Sequence, residues 1–562
     1  MYYVIWAMAG MLLVFFLIRG IAEDHRLKKK FLKSLVDGYG KPSERKMGPE
    51  ALDTISHYHL NGIEKGYDGQ VIDDITWNDL DMDRIYLSMD FANSQTGEEY
   101  LYDMLRKPLK DAERLRERDR VISYFMENQE ERLAFQTCFA RMGRMKNVAV
   151  SDYLKNLDQV AEDSNILHFA CIVLAVISIG MVFLHPAAGF GVFFLTLIFN
   201  VATYFRRKGQ INPYIATFSY LIRAIHSGRE LLKVSSKEMA EYREKLKADL
   251  NELKVLERNF FLLTTGRQMT GSLLELPLDY LRIFFHLDLI KFNNMLSAVR
   301  SHEAAIDEMF GCIGFLDAAI SIGAYRASLP YWCLPEEGGK EEGYRAEQLY
   351  HPLLKDPVPS DVSTGRGILV TGSNASGKST FLKAAALSVL FSQTIATAPA
   401  KKLRAPYFRI YSSMSIRDDI LTGESYYMAE IRSLKRILDE AEKSREPLIC
   451  FIDEVLRGTN TIERIAASSQ ILKSLSRPEI VLFAATHDIE LTYMLEDYFD
   501  NCHFSEDVLE NDIRFSYKLE PGRAGSRNAI KLLSMMGYEE GIIHSAQGTA
   551  ERFAESGSWP KL

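Results

Sequence analysis

The stretch "LVTGSNASGKSTF", residues 369–381, decides the fold of the C-terminal part of the chain. Residues 367–370 before the loop predict a buried strand and residues 380–390 after it predict a helix, which is the strand–loop–helix context of a phosphate-binding loop. Glycines let the backbone approach a bound group closely, and N–H groups at a helix start attract phosphate oxygens. The pattern G-x-x-x-x-G-K-[S/T] is met by Gly372, Gly377, Lys378 and Ser379.

This loop predicts a nucleotide ligand but leaves the reaction open. The ammonium group of Lys378 would reach the β- and γ-phosphates, and the hydroxyl of Ser379 would bind Mg²⁺. Kinases, GTPases, helicases and ABC-type ATPases share a loop of this kind. The candidate nucleotide-binding residues are Gly372, Ser373, Asn374, Ala375, Ser376, Gly377, Lys378, Ser379 and Thr380.

A second candidate segment is a buried strand that ends in two acids. The strand "LICFI", residues 448–452, is followed by Asp453 and Glu454. An acid at the end of a strand beside the loop fits a Mg²⁺ ligand, and the next Glu can orient and deprotonate an attacking water. Small GTPases use a Gln for that water, and kinases bring an acceptor hydroxyl. The Asp-Glu pair therefore indicates an ATP hydrolase that uses ATP and Mg²⁺.

Two further segments complete the candidate site. The strand in "IVLFAATHDIEL", residues 480–491, is followed by His487, which is expected to sense the γ-phosphate and the attacking water. The segment "RDDILTGESYYMAEIRSLKRIL", residues 417–438, predicts a helix with Gly423 and Ser425 at its start. A Ser there is usually only a helix cap, but it could clamp the γ-phosphate of a partner subunit, which would require a dimer. The apolar face of this helix is Met428, Ile431, Leu434 and Leu438.

Composition limits the classes of partner. A length of 562 residues allows roughly three to four domains. The net charge of −8 excludes the global basic field of a dedicated DNA coater, although a local basic face remains compatible with it. The six cysteines form no C-x-x-C pair, so we expect reduced thiols and no zinc site.

Three apolar runs predict membrane spans. Residues 2–18 carry no charge and are followed by a basic cluster, so residues 1–20 are expected to be an uncleaved anchor with its N-terminus outside. Residues 166–205 read as two more spans joined by "HPAAG", which makes a hairpin. The alternative for the hairpin is a pair of buried core helices. The prediction is a multi-pass protein of the cell membrane with its soluble parts in the cytoplasm. The basic residues that follow the runs are Arg26, Lys28, Lys29, Lys30, Lys33, Arg206, Arg207 and Lys208.

The remaining chain divides into helical and α/β parts. Residues 21–165 and 206–335 have helical patterns, and residues 345–550 alternate short strands with helices, as in an α/β ATPase domain. Within the second helical part, residues 229–263 predict one helix of about 30 residues with a single apolar seam. It is interpreted as a solvated structural arm or as a DNA-facing arm. The seam consists of Leu246, Leu250, Leu253, Leu256 and Phe260.

At this point the ordered motifs resemble the MutS family of DNA mismatch-repair ATPases, within the ABC class. "DDILTGESYYMAE" (418–430) is similar to the family's "DDLxxGxSTFMxE", and "DEVLRGTNT" (453–461) is similar to "DEIGRGTST". "FAATHDIELT" (483–492) and residues 517–546 also match the family's pattern. "QLYHPLL" (348–354) resembles the family's entry to the ATPase domain, and residues 94–125 resemble its core helices.

The resemblance implies a helical MutS-like core or lever region followed by an ABC-type α/β P-loop ATPase domain with a C-terminal dimerisation segment. It assigns catalysis to Lys378, Glu454 and His487, and Mg²⁺ binding to Ser379 and Asp453. Gly423 and Ser425 would act in trans within a dimer, most simply a homodimer, that encircles DNA.

The departures from the family pattern affect the expected function. The loop differs from "TGPNMGGKST" at Ser373, Ala375 and Ser376, and the family's mismatch-sensing N-terminal domain has no room before the core match. The first functional hypothesis is an ATP-driven protein that binds mismatched or branched DNA. The alternative is an ATP-driven membrane mechanoenzyme or regulator that acts on a membrane protein partner without DNA. A nucleotide-gated scaffold without turnover is a third alternative, which the Asp453–Glu454 pair disfavours.

Overall fold

The structure is a computed structural model. It describes residues 19–561 except 20–22, 24, 44, 146–147, 160–163, 235, 258–282, 340, 374–375, 415–425, 458, 509–512, 525–529, 531–532 and 535. The described residues form two compact units. The helical unit draws on residues 1–67, 89–103 and 121–328, and the sheet unit on residues 68–88, 104–120 and 329–562. The predicted combination of a helical part and an α/β part is confirmed. Residues 68–88 and 104–120, which the sequence patterns placed with the helical part, pack with the sheet.

The helices up to residue 328 have the following bounds, and residues 25–38 are also helical. They are α1 (Pro49–Glu64), α2 (Asp74–Asp79), α3 (Met82–Met89), α4 (Gln95–Arg106), α5 (Ala112–Glu127), α6 (Gln129–Met142), α7 (Val150–Lys155), α8 (Asn165–Leu184), α9 (Pro186–Val234), α10 (Ala240–Glu252), α11 (Leu287–Ser301) and α12 (Glu303–Ser328).

The predicted hairpin is formed by α8 and α9, which pack against each other and are separated only by His185. Pro186 begins α9, because the first position of a helix does not need a backbone N–H. At Gly189 the two helices approach so closely that a Cβ atom would lie 2.5 Å from the backbone of Met181. The helix then continues for 49 residues, well beyond the apolar run. The "HPAAG" connection is thus mostly helical.

Two helices among the described residues are long and apolar enough to cross a membrane. They are Asn165–Leu184 and the Pro186–Gly209 part of α9, with mean hydropathies of 2.6 and 1.7. In each, only 22% of the most apolar stretch is buried. A core helix of a soluble protein would bury its apolar side chains, so this low burial disfavours the alternative of two core helices. The first predicted span, at residues 1–20, lies almost wholly outside the described residues.

The prediction of one continuous helix over residues 229–263 is wrong. Helix α9 ends at Val234 and α10 begins at Ala240. The apolar seam of α10 folds back onto α9, where a Cβ atom on Gly228 would meet Leu250 at 3.2 Å. The absence of a side chain at Gly228 makes room for this return, and the seam residues Leu246, Leu250, Leu253 and Leu256 are buried. Phe260 lies outside the described residues.

The elements after residue 328 build the sheet unit. The strands are β1 (Glu336–Glu337), β2 (Tyr344–Leu349), β3 (Ser360–Thr364), β4 (Gly367–Thr371), β5 (Lys402–Ala405), β6 (Arg409–Ser413), β7 (Leu448–Asp453), β8 (Ile480–Ala485), β9 (Asp500–Val508) and β10 (Ile513–Pro521). The helices are α13 (Lys378–Thr394), α14 (Tyr426–Lys443), α15 (Thr461–Ser474), α16 (Ile489–Met494) and α17 (Glu540–Ser556).

The strands form one six-stranded and one four-stranded sheet, in the orders β10-β9-β4-β8-β7-β6 and β1-β5-β2-β3. In the larger sheet only the β9–β10 pair is antiparallel. Every residue of β4, β7 and β8 is buried, as expected for parallel strands that are covered on both faces. Asp453 pairs with Ala485, and Val370 pairs with Ala485 from the other side. The residues after β4, β7 and β8 therefore emerge side by side at one edge.

Segment 68–88 anchors β6, the edge strand of the six-stranded sheet. Asp79, at the end of α2, is buried and accepts hydrogen bonds from Ser412 Oγ (2.6 Å) and from the backbone N–H of Met414 (2.9 Å). A buried carboxylate is stabilised by such charge-assisted hydrogen bonds. They fix the end of β6 immediately before residues 415–425, which include Gly423 and Ser425.

Candidate nucleotide site

The candidate phosphate-binding loop leaves β4 at Thr371 and enters α13 at Lys378. Gly372 has φ 148° and Gly377 has φ 110°, values that favour glycine. A Cβ atom on Gly372 would also lie 2.8 Å from Ser376 Oγ and 3.1 Å from the carbonyl oxygen of Phe504. These two glycines therefore determine the path of the loop. Asn374 and Ala375 lie outside the described residues.

Two polar side chains of the loop region are buried. The Nζ atom of Lys378 donates to the carbonyl oxygens of Gly372 and Ser373, both at 2.8 Å. The hydroxyl oxygen of Ser376 is buried and has no hydrogen-bond partner within the described part of the chain. A buried hydroxyl in this position costs free energy unless a ligand bonds to it. Both groups fit a phosphate in the loop.

A hydroxyl and a carboxylate come together where the sequence predicts Mg²⁺. Ser379, in the first turn of α13, donates its hydroxyl hydrogen to Asp453 Oδ2 at 2.5 Å. Asp453 is the last residue of β7 and is buried. Mg²⁺ prefers oxygen ligands and usually takes one or two carboxylates together with substrate phosphates and water. The donor set of Ser379 and Asp453 fits that ion.

Glu454 lies in a strained turn, and its carboxylate contacts the side chains of His487 and Arg457. Its φ of 61° is left-handed, which is uncommon for a residue with a side chain. Its carboxylate lies 2.5 Å from His487 Nε2 and 2.8 Å from Arg457 Nε. Burial raises the pKa of Glu454, but the hydrogen bond from His487 and the nearby charges outweigh burial and leave the pKa below its usual value. Glu454 is therefore ionised, as a general base must be.

His487 is held beside Glu454 by its neighbours in the chain. The N–H of Thr486 donates to the carbonyl oxygen of Val370 at 3.0 Å, and the hydroxyl of Thr486 accepts from the N–H of Asp488 at 3.0 Å. Arg464 binds both carboxylate oxygens of Asp488, at 2.6 and 2.9 Å. These bonds hold the residues immediately before and after His487, and they thereby fix the loop that follows β8.

Sequence reasoning missed two residues that contact this constellation. Arg457 donates to the carbonyl oxygen of Asp453 at 2.7 Å as well as contacting Glu454. Glu430 is 2% exposed, and its carboxylate accepts from the backbone N–H groups of Leu456 (2.5 Å) and Arg457 (3.2 Å). Burial raises the pKa of Glu430, although the two N–H bonds act against that rise. Both residues stand inside motifs that the sequence analysis quotes, but motif letters alone do not show which backbone they hold.

A cavity of about 620 Å³ opens over these residues. Of the predicted site residues it is lined by Ser376, Gly377, Lys378, Ser379, Thr380, Asp453 and Glu454. His487 is not among the residues that line the cavity. It contacts Glu454, which does line the cavity. The far wall contains Tyr350, His351, Pro357, Val358 and Tyr517. Burial and the charge of Lys383 lower the pKa of His351 to about 4, so its imidazole is neutral at pH 7.

The remaining predicted residues belong to the helix before β7. Gly423 and Ser425 lie outside the described residues, and α14 begins at Tyr426. On the predicted apolar face, Leu434 is buried, and Ile431 and Leu438 pack against the core. Met428 is 44% exposed, so including it in that face is wrong. It lies in the first turn of α14 and points away from the core against which Tyr427, Ile431 and Leu438 pack.

These elements define a class: an α/β domain in which a mostly parallel sheet presents a loop with the P-loop sequence pattern and two acids at one edge. The model of the MutS domain V family matches residues 368–554. The DNA mismatch repair protein MutS of Thermus thermophilus is 30% identical over 209 residues, which is 36% of this chain and 25% of that protein. The MutS protein of Fervidobacterium nodosum is 26% identical over 57% of this chain and 43% of its own length.

A protein named DNA mismatch repair protein MutS 2, from Haloarcula marismortui, is 26% identical over 52% of this chain and 34% of its own length. Residues 368–554 are thus similar to MutS domain V. The chain spans less than half the length of these relatives.

Proposed function

We propose that the protein binds ATP with Mg²⁺ and hydrolyses it. The observation that supports this most is the convergence of Lys378, the Ser379–Asp453 pair and Glu454 at one cavity. Lys378 would exchange its bonds to loop carbonyls for bonds to phosphate oxygens, and Ser376 would gain a partner. Ser379 and Asp453 would hold Mg²⁺, which supplies charge neutralisation for the β- and γ-phosphates.

Glu454 is proposed as the general base. Its carboxylate would take a proton from water as the water oxygen bonds to the γ-phosphorus and the bond between that phosphorus and the β–γ bridging oxygen breaks. The products are ADP and inorganic phosphate. His487 would orient Glu454 and the γ-phosphate. Arg457 lies close enough to share the charge of Glu454 in the absence of nucleotide.

The test uses the full-length protein in detergent. Nucleotide binding and steady-state phosphate release are measured for the wild type and for Glu454→Gln, which keeps the shape of the side chain and loses the base. We expect Glu454→Gln to bind ATP and to lose roughly a hundredfold or more in kcat. Glu463→Gln, an exposed carboxylate on α15, is the matched control and should behave as the wild type. A Glu454→Gln variant with full turnover would sink the proposal.

The proposed target of this ATPase is DNA, mismatched or branched, held by a homodimer. The support is the family of domain V and the names of the relatives, which are mismatch-repair proteins. DNA contacts to phosphates release counterions, so affinity should fall steeply with salt. ATPase rate and DNA affinity at two salt concentrations, with homoduplex, mismatched and branched DNA, test this. Turnover that ignores all three DNAs, without binding at low salt, would remove DNA from the proposal.

The protein is also proposed to reside in the cell membrane as a multi-pass protein, with the sheet unit in the cytoplasm. The support is the hairpin of α8 and α9, whose exposed surface is apolar. Its exposed large side chains include Ile166, Leu167, Phe169, Val173, Leu174, Val176, Ile177, Phe183, Leu184, Phe190, Phe194, Leu195 and Ile198. Such a patch far exceeds what a soluble monomer exposes. Resistance of the protein to carbonate extraction from membranes is the expected result.

The alternative function is an ATP-driven mechanoenzyme that acts on a membrane protein partner without DNA. One observation favours it specifically: α9 runs unbroken from the apolar hairpin to Val234, where its soluble half is packed in the helical unit. Nucleotide-dependent co-purification of a membrane protein, together with absence of DNA binding, would support this alternative over the first function.

A further inference from the structure

Glu430 connects α14 to the turn that carries the proposed general base. Its carboxylate is almost fully buried and accepts from the backbone N–H groups of Leu456 and Arg457. It contacts neither the loop of residues 372–377 nor Asp453 in the described structure. A buried carboxylate that bonds two consecutive backbone N–H groups fixes the orientation of that peptide segment. Glu430 therefore acts on the site through the backbone of residues 456–457, and its charge also interacts with those of Arg457 and Glu454.

That backbone is strained in a way that requires an anchor. Glu454 has φ 61° and Leu456 has φ 60°, so two residues with side chains occupy the left-handed region within three positions. Such a conformation is unfavourable for a residue with a side chain and persists only where its surroundings hold it. The holding contacts are the Glu430 bonds, the N–H of Glu454 to the carbonyl oxygen of Ala485 (2.9 Å), and the hydroxyl of Ser468 to the carbonyl oxygen of Val455 (3.2 Å).

The strained turn decides where two charged side chains point. Val455 and Leu456 are buried in the core beside β7, whereas Glu454 and Arg457 line the cavity. This alternation depends on the two left-handed residues, because an ordinary extended or helical path would rotate the side chains differently. If residues 456–457 relax, Arg457 and then Glu454 move relative to the cavity. Lys378 and Ser379, on α13, would not move with them.

We propose that Glu430 is a positioning residue for hydrolysis, an inference that rests on the proposed ATPase activity. It holds the turn of residues 454–457 so that Glu454 faces the γ-phosphate. The role depends on hydrogen-bond acceptance at the correct reach. It does not depend on negative charge alone.

The experiment compares Glu430→Asp, Glu430→Gln and Glu442→Ala in the full-length protein. Asp keeps the charge but is one methylene shorter, so it cannot reach both N–H groups. Gln keeps the reach and one acceptor oxygen. Glu442 is an exposed carboxylate in the last turn of α14 and serves as the matched control. The readouts are kcat, KM, the ATP affinity of each variant, and hydrogen–deuterium exchange of residues 454–457.

We expect Glu430→Asp to lose roughly tenfold to a hundredfold in kcat, with KM and ATP affinity within about threefold of the wild type. Exchange at residues 454–457 should rise in this variant. Glu430→Gln should retain kcat within about fivefold, and Glu442→Ala should match the wild type. ATP binding by Glu430→Asp shows that a loss of kcat does not come from unfolding.

Two results overturn the positioning role. One is a Glu430→Asp variant with wild-type kcat while the wild type hydrolyses ATP. The other is the reverse order, an active Asp variant and an inactive Gln variant, because charge would then matter and reach would not. A wild type that binds ATP without releasing phosphate instead overturns the proposed hydrolysis, and the positioning role with it.

Discussion

Nε2 of His487 lies 2.5 Å from Oε1 of Glu454, although 33 positions separate the two residues in the chain. The contact follows from strand register: Asp453 pairs with Ala485, so the residues just after β7 and β8 emerge next to each other. The hydrogen bond orients the carboxylate that we propose as the base. It also gives the His a role that does not require it to line the cavity.

Replacing His487 by Ala should therefore lower kcat while ATP binding persists. The carboxylate of Glu454 would lose its hydrogen bond to the imidazole, keep its contact with Arg457 and turn away from the water. We expect a loss of roughly tenfold to a hundredfold in kcat, measured as steady-state phosphate release. His544→Ala removes an exposed histidine on α17 and should leave kcat unchanged. Equal losses in the two variants would contradict the assigned role.

Asp453→Asn and Ser379→Ala should raise the Mg²⁺ concentration needed for half-maximal turnover. Each change removes one of the two oxygen groups that meet at 2.5 Å and fit Mg²⁺. We expect this Mg²⁺ concentration to rise tenfold or more when a ligand, or a group that orients a ligand, is removed. The measurement is a Mg²⁺ titration of phosphate release at saturating ATP. Asp497→Asn, an exposed acid of the same unit, is the control, and an unchanged Mg²⁺ requirement in Asp453→Asn would refute the ligand assignment.

Mixing two inactive variants should restore turnover if the site is shared between subunits. Lys378→Ala disables binding by its own loop, and Ser425→Ala disables the contact given to the partner. In a mixed dimer one composite site would contain both wild-type groups. Co-expression of differently tagged variants, followed by tandem purification, gives the mixed species. Turnover near half that of the wild-type dimer is expected, and a mixed species as inactive as its parents would exclude action in trans.

The buried His351 should make stability depend on pH. Its pKa is lowered to about 4 from the ordinary 6.5, so the unfolded state binds more protons between those two values. Stability is then complete above pH 6.5 and falls as pH decreases towards 4, by at most about 3 kcal/mol. His351→Asn removes this contribution. Thermal unfolding of both proteins from pH 7.5 to 4.5 should show a smaller decrease in Tm for His351→Asn. Parallel curves would argue against a buried neutral imidazole.

A charge on the outer face of the hairpin should impair membrane insertion. Leu195 on α9 is 71% exposed, and Leu195→Lys would place an ammonium group among the apolar side chains. The insertion cost at the centre of a span is about 2.5–3.5 kcal/mol. We expect a larger carbonate-extractable fraction for this variant. Leu60→Lys, at a leucine of α1 that is 50% exposed, is the control. If carbonate extracted the two variants to the same extent, the outer face of the hairpin would not contact lipid.

The sequence could predict those parts of the candidate site that depend on short segments. Lys378, Ser379, Asp453 and Glu454 each follow or end a buried strand, and parallel strands bring their ends together whatever the rest of the chain does. Glu430 and Arg457 could not be assigned, because their contacts depend on left-handed backbone at Glu454 and Leu456. Sequence patterns do not reveal such conformations in residues other than glycine.

The helical part shows the same limit at a larger scale. The apolar runs of α8 and α9 are continuous in the sequence, so the hairpin could be predicted. The break between Val234 and Ala240 was not predicted, because the apolar seam used for the prediction begins only at Leu246, after the break. What separates the two helices is tertiary packing, in which Leu246 and Leu250 return to the surface left open by Gly228.

The unbroken course of α9 gives the helical unit a stiff rod. Its 49 residues extend about 74 Å, more than twice the hydrocarbon thickness of a bilayer. Along this helix, the hydroxyl oxygen of Tyr220 lies 2.8 Å from the hydroxyl oxygen of Thr96, at the start of α4. In the proposed membrane arrangement, this one helix would therefore connect the lipid-facing hairpin to the start of α4.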